Sequence, residues 1–203
     1  MKQKIHFPRR EIIELTKAWL ALSIAFTILL TPREGILPGI TTTLIIFFAI
    51  STATAGMAFL LHELAHKIVA QKYGHSAEFI ANNSMLLLAI GMSLLGFILA
   101  APGAVYIHGR ITRRENGIIA AAGPITNIIL AVIFMPIAFL GAGIIGLFGV
   151  YGFLINSWLG LFNMIPTIPF DGGKIIKWNK PIYFTMAATL LGLTLLAFFS
   201  FLA

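Results

Sequence analysis

The 203-residue chain is 59% hydrophobic and 10% charged, where a soluble domain carries about 25% charged residues, so a soluble globule is excluded and a polytopic membrane protein is indicated. It has no cysteine, which excludes disulfides and thiolate metal sites. Fourteen Lys and Arg against seven Asp and Glu leave a net charge of +7, but the basic residues lie between apolar runs and form no aromatic-laced patch, which argues for a topology signal and against nucleic acid as a partner.

A helix needs about 20 apolar residues to cross roughly 30 Å of hydrocarbon. Lys2, Lys4, Arg9, Arg10 and Lys17 come first, followed by an apolar run at about 15–31. The run resembles a signal peptide, yet it leads into Thr31-Pro32-Arg33-Glu34 instead of a small-residue cleavage site, and is read as a retained first helix. A second span covers about 40–72 and contains His62-Glu63-Leu64-Ala65-His66. A third apolar stretch, 84–101, precedes a strand-like alternation at 104–111 and turn residues up to Gly117. Further spans follow at about 118–140, 147–165 and 182–203. The expected fold is an all-α polytopic membrane protein of five to six transmembrane helices, organised as one transmembrane domain over 1–203 with its core at about 40–175 and flanking spans at 15–31 and 182–203.

The basic residues orient the spans. Lys67 and Lys72 follow the second span, Arg110, Arg113 and Arg114 precede the span at 118, and Lys174, Lys177 and Lys180 precede the last one. Only Arg33 falls on the opposite side, so the positive-inside rule places the N-terminus and thirteen of the fourteen charges in the cytoplasm of a multi-pass protein of the cell membrane. If Lys72 and Arg110 are both inside, the stretch between them cannot be a single crossing. The segment around 84–117 is therefore expected to be re-entrant, with a short β-hairpin character, and Gly91, Gly96, Pro102 and Gly103 provide places to bend.

His62 and His66 stand four residues apart and share a helix face, so both rings can approach one ion, with Glu63 beside them as the base of a metal-activated hydrolase. Two histidines and an acid in five positions of an apolar span are costly to insert, about 2.5–3.5 kcal/mol for a charged residue at mid-helix, and so imply a function. A catalytic zinc takes three protein ligands and keeps one position open. Asp171 is favoured as the third ligand because it is, with Glu63, the acid attached to intramembrane structure; His75 and His108 are the rival donors. A cytoplasmic position for both His66 and Asp171 demands helices that run the same way, hence an odd number of crossings between them, which a re-entrant 84–101 satisfies. Pro166 and Pro169 break the helix before Asp171, and Gly172 and Gly173 permit the turn that follows.

Three segments together resemble the site-2 protease family of intramembrane zinc metallopeptidases: the His-Glu-x-x-His helix at 62–66, "AAGPITN" at 121–127, and "NMIPTIPFDGG" at 163–173. The resemblance implies one zinc per chain on His62, His66 and Asp171, with Glu63 as the catalytic base. It also implies that Asn163 hydrogen-bonds substrate backbone and that Asn127 falls at a substrate-binding asparagine position, although a helix-packing amide is the other reading of Asn127. The expected activity is hydrolysis of peptide bonds within or near transmembrane segments, with membrane-protein substrates and the lipid bilayer as partners. The strand-like piece at 104–111 is expected to receive the unwound substrate by strand addition. A metal transporter and a non-cleaving homologue are the alternatives, and the intact Glu63 argues against both.

Overall fold

The computed structural model describes residues 5–32, 40–98 and 102–201. Lys2, Lys4, Arg33 and Glu34 of the charge argument, and residues 99–101 of the apolar insert, lie outside the described residues. Five helices are long and apolar enough to cross a membrane, and one small antiparallel sheet accompanies them, so the chain is an all-α polytopic membrane protein.

The first helix, α1 (Arg9–Leu30), begins earlier than the hydropathy of the sequence suggests. Its two acids are accommodated by partners: Glu14 pairs with Lys17 at 2.8 Å, and Glu11 pairs with Lys67 in a contact where both side chains are almost fully buried. The second span is a continuous helical rod in three pieces: α2 (Ile40–Ser51), a π-turn (Thr52–Gly56) and α3 (Met57–Lys72). A π-turn inserts one extra residue per turn and turns the following face relative to the preceding one. The Trp19 indole N–H of α1 donates to the Thr52 carbonyl at 3.3 Å, and a side chain at Gly56 would collide with Trp19 and Ser23, so α1 seats against this turn six residues before His62.

Beyond α3 the chain forms β1 (Ser76–Ala81), the short apolar helix α4 (Asn83–Leu94) and β2 (Gly103–His108). The strands are antiparallel, with Ser76 opposite His108 and Ala81 opposite Gly103, and the Asn82 amide donates to the Pro102 carbonyl at 2.9 Å. The chain thus returns after α4 to lie beside the strand it left. Gly96, at φ +89°, makes the reversal after α4. The strand-like alternation at 104–111 overlaps β2, whereas β1 lies before the 84–117 segment expected to have hairpin character.

The long helix α5 (Arg113–Leu140) starts from a capping box, with the Thr112 hydroxyl accepting the Glu115 amide at 3.2 Å and the Glu115 carboxylate accepting the Thr112 amide at 2.8 Å. It is the central element and packs on α3, α6 (Gly143–Asn163) and α7 (Asp171–Trp178). The α5–α6 approach is close because Gly149 meets backbone of Ile137 and Ala138, with no room for a side chain. After α6 the segment carrying Pro166 and Pro169 leaves helical geometry and α7 restarts at Asp171. Helix α8 (Lys180–Phe201) closes the bundle, and the Tyr183 hydroxyl donates to the Met164 carbonyl at 2.9 Å, tying α8 to the break.

This path makes a labelling prediction. Cysteines introduced singly at Asn82 and Ala104, both exposed, react with an impermeant thiol reagent from the same side of sealed vesicles; labelling from opposite sides would mean that α4 crosses.

Candidate metal centre

Helix α3 presents His62 and His66 on one face, one turn apart, toward α5 and α7. The Nε2 atoms of both rings converge on a single oxygen, Asp171 Oδ2, at 3.3 and 3.0 Å. Among the described residues this is the group of three potential metal donors, and all three side chains are buried.

The opposite ring nitrogens explain why the rings point this way. His66 Nδ1 donates to the Ile119 carbonyl at 2.7 Å, and His62 Nδ1 donates to Asn127 Oδ1 at 2.5 Å. The Asn127 amide orientation is set by its other contacts: its Nδ2 donates to Asn156 Oδ1 at 3.2 Å and to the Ala58 carbonyl at 3.4 Å, both pure acceptors, so the oxygen must face His62. Asn156 in turn donates to the Gly152 carbonyl at 2.8 Å. With Nδ1 as the donor, each ring turns its other nitrogen, Nε2, toward the Asp171 carboxylate oxygen. Neutral rings in this tautomer bring three lone pairs to one point, an arrangement that a cation between them would stabilise.

Geometry agrees with that chemistry. Ligands about 2.1 Å from a tetrahedral zinc stand roughly 3.4 Å from one another, close to the observed donor spacings. Gly123 of α5 borders the same point, and a Cβ there would collide with Nε2 of both histidines, so its lack of a side chain leaves the space open. Two nitrogens and one oxygen supply three ligands and leave a fourth position, the composition of a catalytic zinc site. The residues present fit the ion.

Glu63 lies beside the group and lines a cavity of about 980 Å³ together with His62, His66 and Asp171. The cavity extends along Gly103, Val105 and Ile107 of β2 and past Asn163. Lys174, one turn after Asp171, reaches Asp171 Oδ1 at 3.3 Å and leaves Oδ2 to the histidines. Asp171 is delivered by the break before α7: a Cβ on Gly172 would strike the backbone of Met164 and Ile165, and one on Gly173 the backbone of Thr167, so the fold of the break needs both glycines.

The structure sorts the sequence candidates. His62, Glu63, His66 and Asp171 come together. Asn163 lines the cavity, and its Nδ2 donates to the Leu159 carbonyl at 3.0 Å, which uses one of the amide's two N–H donors. Asn127 is 0% exposed, and its amide is hydrogen-bonded to His62, Ala58 and Asn156. The rival donors stand apart from the group: His75 lies 3.8 Å from Glu115, and His108 is exposed on β2. The sequence reading missed Gly123, the Ile119 carbonyl, Asn156 and Lys174. The spacing within "GPITN" carried one clue, since Gly123 and Asn127 are four apart and share the α5 face that meets α3.

No family profile and no solved structure matches the chain. The chain is 40% identical over 197 residues to "Putative zinc metalloprotease MJ0611" of Methanocaldococcus jannaschii, a match covering 95% of this chain and 97% of that protein. It is 33% identical over 134 residues to "Zinc metalloprotease MJ0392" of the same organism, covering 65% of this chain and 34% of that one. A third relative, "Putative zinc metalloprotease Rip3" of Mycobacterium tuberculosis, is 33% identical over 129 residues, covering 60% of this chain and 29% of its own length. The chain thus spans nearly all of the first relative and about a third of the other two.

Orientation of a ligand by its hydrogen-bond partner is worth about 10–100-fold in metal affinity. Asn127→Leu is expected to weaken Zn²⁺ binding by that factor while the helical circular dichroism is unchanged; equal affinity in a competition titration would remove Asn127 from the centre.

Proposed function

The chain belongs to the zinc metalloprotease family of these relatives, and we propose that it is an intramembrane endopeptidase of the site-2 protease type, cutting membrane-protein substrates within or near a transmembrane segment. The observation that carries this reading is the convergence of two imidazole Nε2 atoms and one carboxylate oxygen beside Glu63, on helices apolar enough to span a membrane.

In this reading His62, His66 and Asp171 hold one zinc ion per chain. Bound there, zinc supplies a Lewis acid that acidifies water and polarises a carbonyl. Glu63 accepts the proton that the attacking water gives up as its oxygen adds to the scissile carbonyl. It then donates that proton to the nitrogen as the C–N bond breaks, so that carboxylate and amine products leave with the base regenerated. Lys174 and Asn127 hold Asp171 and His62 in place during these steps. Asn163 offers its amide to the substrate backbone.

A transmembrane substrate satisfies its backbone internally and must be unwound before its carbonyl is reachable. The edge of β2 away from β1 suits the unwound segment, and its Val105 amide already donates to the Glu63 carboxylate. Phe79 and Ala81 donate their amides away from β2, which marks the pairs Phe79–Val105 and Ala81–Gly103 as the non-hydrogen-bonded positions of the ladder. By the same alternation Gly103, Val105 and Ile107 turn both backbone groups outward, along the cavity that contains Glu63. An extended segment joining that edge lies next to the base and the metal ligands. The whole of 1–203 acts as one transmembrane protease domain, with the N-terminus and the site on the cytoplasmic side of the cell membrane, where the basic residues gather.

Two substitutions test this function. Glu63→Gln abolishes cleavage of a single-span substrate in detergent, at least about 10³-fold, but keeps stoichiometric zinc because the ligands are untouched. Asp171→Ala loses both cleavage and zinc. Cleavage by Glu63→Gln at the wild-type rate would remove the base from the mechanism, and full zinc in Asp171→Ala would remove the third ligand.

A further inference from the structure

Two acids that the site does not use lead to the outer edge of the hairpin. Glu11 is 0% exposed and its carboxylate is shared between two elements. One oxygen is ion-paired with Lys67, itself 1% exposed and next to His66 on α3; the other accepts the Phe79 amide of β1 at 2.9 Å. One turn further along α1, Glu14 accepts the Ala81 amide at 3.2 Å. The tail before α1 is fastened to the same place. The Phe7 ring covers Lys67 Nζ at 4.3 Å, and the Gln71 side chain exchanges two hydrogen bonds with the His6 backbone, at 3.1 and 3.2 Å.

An open strand edge offers its amides to any extended chain. On β1 two of those amides meet carboxylates placed where the carbonyls of a third strand would stand. We propose that Glu11 and Glu14 close the outer edge of the hairpin, so that an extended substrate joins β2, and that the buried Glu11–Lys67 pair fixes the position of that edge along α3 and thereby helps select the bond presented to Glu63. The inference rests on the protease reading given above and makes Glu11, Glu14 and Lys67 positioning residues, remote from the reacting atoms. Stability alone is a poor account of the pair, because apolar residues of similar volume fill such a space at no loss. What they cannot do is bridge an ammonium on α3 and an amide on β1 with one group.

The test uses the purified full chain loaded with zinc and a synthetic single-span Leu/Ala peptide carrying a central Gly-Gly break. Products are identified by mass spectrometry, and amide exchange is followed at Phe79 and Ala81. Loss of an edge hydrogen bond in Glu14→Ala is expected to raise KM roughly tenfold with kcat changed by less than about threefold, and to spread cleavage onto neighbouring bonds. Glu14→Gln, which keeps an oxygen acceptor, restores the wild-type bond and KM. The double variant Glu11→Ala/Lys67→Met, which avoids a lone buried charge, shows the same spread with zinc still stoichiometric. Amide exchange quickens at Ala81 in the first variant and at Phe79 in the double variant. Cleavage at the wild-type bond with unchanged KM in Glu14→Ala and the double variant would overturn the inference. Should the double variant not fold, the Glu14→Ala and Glu14→Gln comparison decides. If the wild type cuts nothing, the protease reading fails separately, and exchange still decides the edge: unchanged rates at Phe79 and Ala81 would sink it.

Discussion

Two imidazole nitrogens and one carboxylate oxygen that meet at a single point constrain the rest of this molecule. Such a meeting is unfavourable in an apolar interior, and it persists only because each donor is held from behind. Helix α5 does most of the holding. Its Ile119 carbonyl takes the His66 proton, its Asn127 oxygen takes the His62 proton, and its Gly123 leaves the point of convergence open. The helix opens on a capping box and contains Pro124, yet it stays helical across the site. The order of elements then follows. The two histidines need one turn of α3, α5 must lie against that turn, and Asp171 must come from a segment that can leave helical geometry and re-enter it.

The polar cluster is costly in this setting. A polar group buried without a partner loses several kcal/mol in an apolar medium, so the bundle satisfies the amides behind the site in sequence. Asn127 serves His62, Asn156 serves Asn127, and Gly152 on the preceding turn of α6 serves Asn156. Ser157 and Thr54 return their hydroxyl protons to their own helices, at 2.7 Å each. Asn127 and Asn156 thus turn inward behind a ligand while Ser157 and Thr54 satisfy themselves locally, and the hydroxyls of Ser51 and Thr52 are buried with no hydrogen-bond partner among the described residues. The π-turn before His62 is tied to α1, because its Thr52 carbonyl accepts the Trp19 indole N–H.

Most of this was legible where the signal is local or counts charges. The turn-spaced histidines, the proline and glycine break before Asp171, and the clustering of lysines and arginines each reflect a constraint carried by neighbouring residues. Combined, they required the stretch after Lys72 to return, and the pairing of Ala81 with Gly103 shows that it does. What stayed hidden depends on partners far apart in the chain. Glu11 reads as one more residue of a basic tail until Lys67, 56 positions away, is placed beside it. Ser76–Ala81 is six residues long and follows directly on a helix, so its alternation is too brief to stand out. For Asn127 the depth in the span could be estimated from helical rise, but whether its amide met substrate or His62 depends on the rotation of α5 against α3, which is a tertiary property.

On the proposed function, the hairpin would reconcile hydrolysis with a lipid boundary. An unwound stretch of substrate exposes amides and carbonyls that hydrocarbon cannot satisfy, each at a cost of several kcal/mol. The β2 edge beside Glu63 would then replace those lost partners where they are lost, so that unwinding and presentation would become one event. That solution carries a hazard, because a two-stranded sheet has two edges and each can recruit a chain. Carboxylates of α1 occupy one of them, and they do so from a helix whose other contacts reach α3 beside His66 and α4 beyond β1. The element that closes the idle edge is therefore also fastened to the helix that bears the histidines, and a displacement of α1 would disturb the working edge and the metal ligands together.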